Sequence, residues 1–405
     1  MFKGYMQLGD VELINDARFK AYVEKHTNNI TVKCDAPDLH VALGDSPYTS
    51  PSVDAAPWYK ASRPATDRFY GVRSIDVVGL WDGTRSTSVT ELIGDGAVQS
   101  LPRDASGEAR VKVLLAAADD EALADGWAWF KEAVAGDNCD DATLGCVGHT
   151  MRVFTAQPKT LTEYVTFGRN FYGVELLDGP KIIKQYASKN ASMMEVDLIF
   201  SIGRPWPMTD LTTIDMLDMD LAVNHTDVPG EDCSAVSQVY DNFITDPFYT
   251  DIALPPRAPS ILPPNVLDIS SWRRMEASLP AAMTERPGRV IPVIRIFSGA
   301  AGAQFVRVRF YRADVVGHTG CDYDGEFLVS YVPPNSVMTL DGIRREVSVT
   351  LPDTRVVPAG HLLFGTDGRP FRWPSLGCHE NYVVTVDMMP GQPDISVYID
   401  AAVRE

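Results

Sequence analysis

The side chains best equipped for chemistry lie near the C-terminal end: Trp272, Phe371, Trp373 and Tyr382, with Arg372 and Asp367 among them. Sugar rings stack on aromatic faces and hydrogen-bond to planar polar groups. Trp272, Arg372 and Trp373 are therefore candidate glycan contacts. Pro370-Phe-Arg-Trp-Pro is also what a packed loop corner looks like. Cys139 and Cys146 are close enough in sequence to pair or to share a metal. Zinc takes about four ligands and only His149 lies nearby. Two half-buried thiols or a disulfide suit the pair better than a metal centre. Asp322, Asp324 and Glu326 alternate as in a calcium loop. Gly325 comes too early for an EF-hand, however, and the distal Glu is missing, so a turn accounts for them. His361 and His379 lack identifiable convergent partners.

Common catalytic signatures are absent: there is no G-x-S-x-G, H-E-x-x-H or G-x-x-x-x-G-K. No enzyme activity and no cofactor are expected on that basis. A carboxylate pair for glycoside hydrolysis is set by separation in space, and 54 acidic residues give it no address.

The elements that must position these residues are mostly short runs of Val, Ile, Thr, Phe and Tyr punctuated by Gly, Pro, Asn and Asp. Strands are expected over 72–81, 109–116, 193–202, 290–297, 305–311, 345–351 and 382–386. One amphipathic helix is expected from Asp119 to Ala135. Asp119 or Asp120 caps it, Leu123, Trp127 and Phe130 form its apolar stripe, and Gly136 ends it. Trp127 and Trp129 then read as core and rim residues. Gly126 sits uneasily inside a helix. Phe171 to Ile202 reads as a long hairpin turning at Asp178-Gly-Pro, stopped by Gly203-Arg-Pro-Trp-Pro. Asp341-Gly342 fits a type I′ hairpin turn.

The 405 residues, 45% hydrophobic and 22% charged, suffice for two or three cores. Six cysteines do not make a disulfide scaffold. The first ten residues hold no signal-like apolar run, and eighteen apolar residues never run together. Neither a leader nor membrane insertion is expected, so the chain is made in the cytoplasm, with lysis as an exit. The 36 basic and 54 acidic residues give a net charge of −18, which argues against nucleic-acid binding. Charge is uneven. Asp210 to Asp251 holds ten acidic residues and no Lys or Arg, and from Arg257 onward all fifteen cations are Arg. The acidic stretch reads as a solvated connector. Leu254 to Pro264 contains five prolines, giving a stiff spacer. The expected division is a sheet-plus-helix domain over 1–205, an acidic and proline-rich connector over 206–264, and an all-β sandwich over 265–405.

Several phrases resemble minor tail proteins of actinobacterial, mycobacteriophage-like siphophages. They include GYMQLGDVELINDAR from Gly4, DASGEARVKVLLAA from Asp104, and Ala124-Asp-Gly-Trp-Ala-Trp-Phe followed by the Cys139 and Cys146 pair. Leu177-Asp-Gly-Pro, Met193-Met-Glu-Val and Gly203-Arg-Pro-Trp-Pro belong with them, as do Trp272-Arg-Arg, Val306-Arg-Val-Arg-Phe-Tyr, Ser330-Tyr-Val-Pro-Pro-Asn-Ser, Leu340-Asp-Gly-Ile-Arg-Arg and Ala401-Ala-Val-Arg-Glu. These phrases span nearly the whole chain and are similar in style to the distal tail protein type.

The resemblance implies a mainly β structural protein at the virion tail tip, assembled in the host cytoplasm. An N-terminal domain would close a homo-oligomeric ring of six copies, and a galectin-like or carbohydrate-module-like sandwich would hang outside. Implied partners are the tail tube protein, the tail hub with other minor tail proteins, and the tape measure protein. The N-terminal stretch and the acidic segment are expected as arms that order on assembly. The acidic segment departs from the family's minimal pattern. The alternative is a peripheral tail protein whose sandwich binds a host surface glycan; a wall-trimming tail hydrolase is a third reading.

Overall fold

The structure is a computed structural model describing residues 2–26, 36–83, 85–91, 97–100, 103–135, 148–188, 191–218, 226–227, 273–279, 289–315, 323–364, 373–374, 376–377, 381–388 and 395–404. The chain is mainly β, built from antiparallel sheets, and divides into two compact units, Met1–Asp210 and Leu211–Glu405. Among the described residues no helix is long and apolar enough to cross a membrane.

The first unit contains β1 Tyr5–Leu8, β2 Val11–Asn15, β3 Phe69–Val78, β4 Arg85–Ser86, β5 Val89–Glu91, β6 Ala97–Gln99, β7 Arg103–Asp104, β8 Gly107–Ala117, β9 His149–Phe154, β10 Gly168–Ser188 and β11 Ala191–Ile202. Its helices are α1 Asp16–His26, α2 Leu39–Leu43, α3 Asp120–Ala135 and α4 Leu161–Phe167. Seven strands form one sheet in the order β2-β1-β9-β10-β11-β8-β3. The sheet curls so far that its outermost strands, β2 and β3, come back into contact. Ser74 on β3 donates to the Lys3 carbonyl at 2.6 Å. β8 shows why these strands form: Ala109, Val111, Val113, Leu115 and Ala117 alternate inward, while Glu108 and Arg110 point out.

The N-terminal stretch is part of this core and not a free arm. Met6, Leu8, Leu13 and Ile14 are buried, and Phe19, Tyr22 and Val23 of α1 recur at helical spacing against the same cluster. Strands of four and five residues are too short to leave a readable alternation. α3 runs as expected. Asp119 accepts from the Ala122 amide at 2.9 Å, which makes it the cap. That bond outweighs a small opposing desolvation and, with Arg68, holds the Asp119 carboxyl below its usual range. Gly126 has a packing reason: a β-carbon there would come within 2.3 Å of the Phe69 ring, so the helix lies closer to β3 than a larger residue allows unless Phe69 shifts.

The hairpin differs from expectation at its turn. β10 runs straight through Asp178-Gly-Pro, and the register with β11 slips there instead of reversing. Gly179 sits at φ +102°, where a β-carbon would meet the Asp197 carbonyl at 2.7 Å. Turn residues in mid-strand have made a bulge, because pairing resumes on either side with Leu176↔Phe200 and Lys181↔Asp197.

The second unit contains β12 Thr212–Asp218, β13 Thr226–Asp227, β14 Arg273–Ser278, β15 Arg289–Ser298, β16 Ala303–Arg312, β17 Gly325–Val332, β18 Val337–Asp341, β19 Glu346–Thr350, β20 Val356–Pro358, β21 Leu363–Phe364, β22 Tyr382–Met388 and β23 Ile395–Arg404. They make two six-stranded sheets, β12-β23-β15-β18-β19-β20 and β13-β14-β22-β16-β17-β21. One apolar core takes residues from both: Ile294, Leu340 and Ile399 from the first, Val308, Val329 and Val384 from the second. This is a β-sandwich. Within the acidic stretch, β12 pairs with the C-terminal strand β23. The turn at Asp341-Gly342 is four residues and not two, since Asp341 pairs with Glu346. Ile343 is buried within it, and Asp341 accepts from the Arg344 amide at 2.8 Å. Burying Ile343 requires the longer loop.

Candidate functional site

The feature most open to a partner is one side of β10. β9 covers it only as far as His149↔Val174. From Glu175 to Ser188, among the described residues, β10 is paired with β11 alone. Leu177 (58% exposed), Ile182, Ile183 and Tyr186 present large apolar groups to solvent along it. A strand edge with unsatisfied ladder groups and apolar side chains is a template for another strand. Register breaks on either side of Asp178 and between Ile182 and Lys184 divide the edge into short straight pieces. Over Glu175 to Ser188 the edge carries Glu175 and Asp178 against Lys181 and Lys184, with Lys181 paired to Asp178, so it is near neutral on an acidic chain.

The outward face beside the edge carries ion pairs. Arg110 Nε donates to both oxygens of Asp197 at 2.9 Å. Glu195 lies 3.3 Å from Lys112 Nζ and accepts from Tyr186 at 3.1 Å. The Tyr186 hydrogen bond, with Lys112, holds the Glu195 carboxyl below its ordinary range. Tyr186 is thereby fixed with its ring still partly in solvent.

A second cluster lies under the N-terminal strands. Glu12 is 3.0 Å from Arg18 Nε and accepts from Asn15 at 2.9 Å. Asn15 also donates to Tyr48 at 3.0 Å, and Tyr48 donates to Asp45 at 2.6 Å. Arg18 lies over the Tyr48 ring. Tyr22 donates to Asp54 at 2.8 Å, and Asp54 also accepts the Thr49 and Ser50 amides. Burial pushes the Glu12 carboxyl up, and Arg18 and Asn15 reverse this only in part. The cluster ties residues 45–54 to β2 and α1; it aligns no nucleophile with a base.

In the sandwich, the outward positions Asp387 and Thr385 of β22 and Arg307 and Arg309 of β16 are themselves buried, with Arg274 of β14. Asp387 accepts from Arg274 Nε at 2.6 Å and from Arg307 Nη2 at 2.6 Å. Arg309 pairs with Glu326 and donates to Tyr311 at 3.0 Å. Glu326, one of the calcium-like acids, is thus an arginine partner. Asp324 accepts from Tyr382 at 3.0 Å, and Asp322 lies outside the described residues.

Of the candidate glycan contacts, Trp373 is described: it is half-buried and packs on the sandwich core. Trp272, Phe371, Arg372 and Asp367 lie outside the described residues, as do Cys139 and Cys146. Tyr382 is no stacking platform. Its ring is in the core, and its hydroxyl also takes the Gly377 amide at 3.0 Å. Among the described residues no group of three His, Cys, Asp or Glu side chains could hold a metal. The β10 edge escaped sequence reasoning because the expected turn at Asp178 hid its length. The available signal was Lys-Ile-Ile-Lys-Gln-Tyr, an apolar run flanked by lysines.

No family model and no curated protein matches the chain. Solved structures do overlap it. The SPP1 Dit protein, described as a paradigm of the hub adsorption apparatus in phages infecting Gram-positive hosts, is 11% identical with a TM-score of 0.39, covering 83% of this chain and 95% of its own. The phage p2 baseplate in its activated conformation with Sr is 10% identical, with a TM-score of 0.40 and coverage of 82% and 91%. The same baseplate with Ca is 12% identical, with a TM-score of 0.40 and coverage of 82% and 91%.

Proposed function

We propose that this chain is a structural subunit of a long-tailed phage's tail tip, of the distal tail type, with no catalytic role. The observation that carries the reading is the order of parts. A curled sheet-plus-helix unit with an open apolar strand edge precedes a twelve-strand sandwich, the order the sequence phrases imply. Six copies would close a ring through heterologous contacts, each lending the Glu175–Ser188 edge of β10 to its neighbour by strand addition. The ring would sit between the tail tube protein and the hub, with the tape measure protein passing within. An apolar strand edge that carries as many acids as lysines raises no charge barrier to a second copy of this chain.

The test is the mass of the purified protein in solution, followed by imaging of the same sample and of intact tails. A closed ring at the end of the tube is expected. A persistent monomer placed on the tail's periphery would overturn the ring. It would favour the glycan-binding reading, for which half-buried Trp373 at the sandwich surface is the described candidate. In that case loss of weak host-glycan binding on Trp373→Ala is expected.

A further inference from the structure

We propose that Gly203–Asp210 is a latched strap whose release lengthens the covalent tether between the two units. After β11 the chain continues along β10. The Gly203 amide donates to the Gly173 carbonyl at 2.8 Å and the Arg204 amide to Tyr172 at 3.3 Å. Past Pro205-Trp-Pro, Met208 and Asn170 exchange backbone bonds of 3.0 and 2.8 Å. Met208 and Thr209 are buried. The end is closed by Asp210, whose two carboxylate oxygens face the Arg152 guanidinium, with Nη2 to Oδ2 at 2.8 Å. Asn170 Nδ2 donates to the same carboxylate at 2.8 Å. Arg152 belongs to β9 and is braced by the Tyr164 ring at 4.3 Å, so the lock ties the chain's exit to the middle of the sheet.

Only Leu211 lies between Asp210 and β12, whose partner β23 belongs to the second unit. With the latch closed, the tether is that single residue. Open, it gains the eight residues Gly203–Asp210, which at about 3.3 Å each add roughly 26 Å of reach. Tension from the second unit arrives at Asp210 first, and the strap's bonds are then loaded one at a time. Pro205 and Pro207 have no N–H to offer between the two ends. The forked Arg152–Asp210 pair, stronger and more directional than a neutral hydrogen bond, therefore sets the threshold. None of this depends on the chain forming a ring.

The experiment is hydrogen exchange on the full-length chain. It reads the Met208 amide, with the Val196 amide of β11 as a control for the fold and small-angle scattering on the same samples. Asp210→Ala is expected to raise Met208 exchange by about tenfold or more, as loss of hydrogen bonds to a charged group implies, with Val196 still protected and a longer maximum dimension. Arg152→Lys keeps the charge but not the fork, and its Met208 exchange is expected to fall between. Unchanged Met208 protection in both variants overturns the latch, and faster exchange without a longer dimension overturns the lengthening. Should Asp210→Ala lose Val196 protection too, Arg152→Lys decides. Joint loss at Met208 and Val196 there means that the strap opens only with the whole unit, and the proposal fails.

Discussion

The two units are both antiparallel β, yet the outward faces of their sheets hold ion pairs at different depths. In the first, the outward face of β8 and β11 carries pairs such as Arg110–Asp197, with the Arg110 side chain 65% exposed and that of Asp197 10%. In the second, the corresponding face of β14, β16 and β22 holds Arg274, Arg307 and Asp387, with Arg274 and Asp387 at 1% and 0%. Water still solvates the guanidinium of such a pair, so forming it contributes less than a fully buried pair does. The buried carboxylate has lost its water and depends on its two guanidiniums. Guanidinium is planar and weakly hydrated, which suits it to such a site better than ammonium. This agrees with a stretch from Arg257 onward that contains no lysine. The same strand pattern thus gives one unit with a face of buried ion pairs and another whose outward pairs keep one partner in water.

The largest break in this comparison is expected from Asp387→Ala. It strands two buried guanidiniums and is expected to cost the second unit about 3–5 kcal/mol, leaving the first unit's unfolding transition in place. Denaturant titration followed separately in each unit reads this; a loss shared equally would mean the units do not unfold independently. Acid sharpens the contrast. Burial pushes Asp387 up, but Arg307 and Arg274 more than reverse it and hold the carboxyl below its usual range. Its stabilising share is complete above the ordinary Asp value of about 3.9 and is lost as pH falls through the lower folded value. Glu12 has the opposite sign: raised by burial, it contributes stability below the ordinary Glu value of about 4.3 that is lost as pH rises through the folded value. Calorimetry from neutral pH down to about 4.3 should show the first unit's melting temperature rising as pH falls through the folded value, with Glu12→Gln flattening the trend and the second unit unmoved by Asp387.

Gly126→Leu is expected to cost the first unit about 1–3 kcal/mol, because the side chain must displace Phe69. Thermal unfolding with near-ultraviolet dichroism around Trp129, which packs on Trp58 and Phe69, would follow it. Asp119→Ala removes the α3 cap and is expected to cost about 1 kcal/mol, measured as a shifted denaturant midpoint. Arg110→Ala is expected to cost the first unit about 1 kcal/mol or less, the smallest loss of the set. A larger loss there would show that the outward pairs do hold β8 to β11.

Strands such as β8 and β11 were legible because one face meets the core and the other meets water, so alternation survives in the sequence. α3 was legible from its cap and stripe. β1 and β2 were not, since each is too short for a period to emerge. The β10 edge was hidden by a local rule: Asp-Gly-Pro is turn chemistry, but Leu176↔Phe200 and Lys181↔Asp197 on either side convert it to a bulge. The second unit's buried arginines looked like ordinary polar positions on strands with one wet face.

By itself the sequence determined the mainly β composition, the one long amphipathic helix, the acidic charge and the lack of common catalytic signatures, because composition and short-range period are local properties. Tertiary structure alone decided that Gly126 must be glycine, that Asp387 joins arginines 113 and 80 residues away, that Asp210 locks onto Arg152, and that, among the described residues, β10 outruns β9. Each of these depends on which distant backbone arrives alongside, and no spacing along the chain records that.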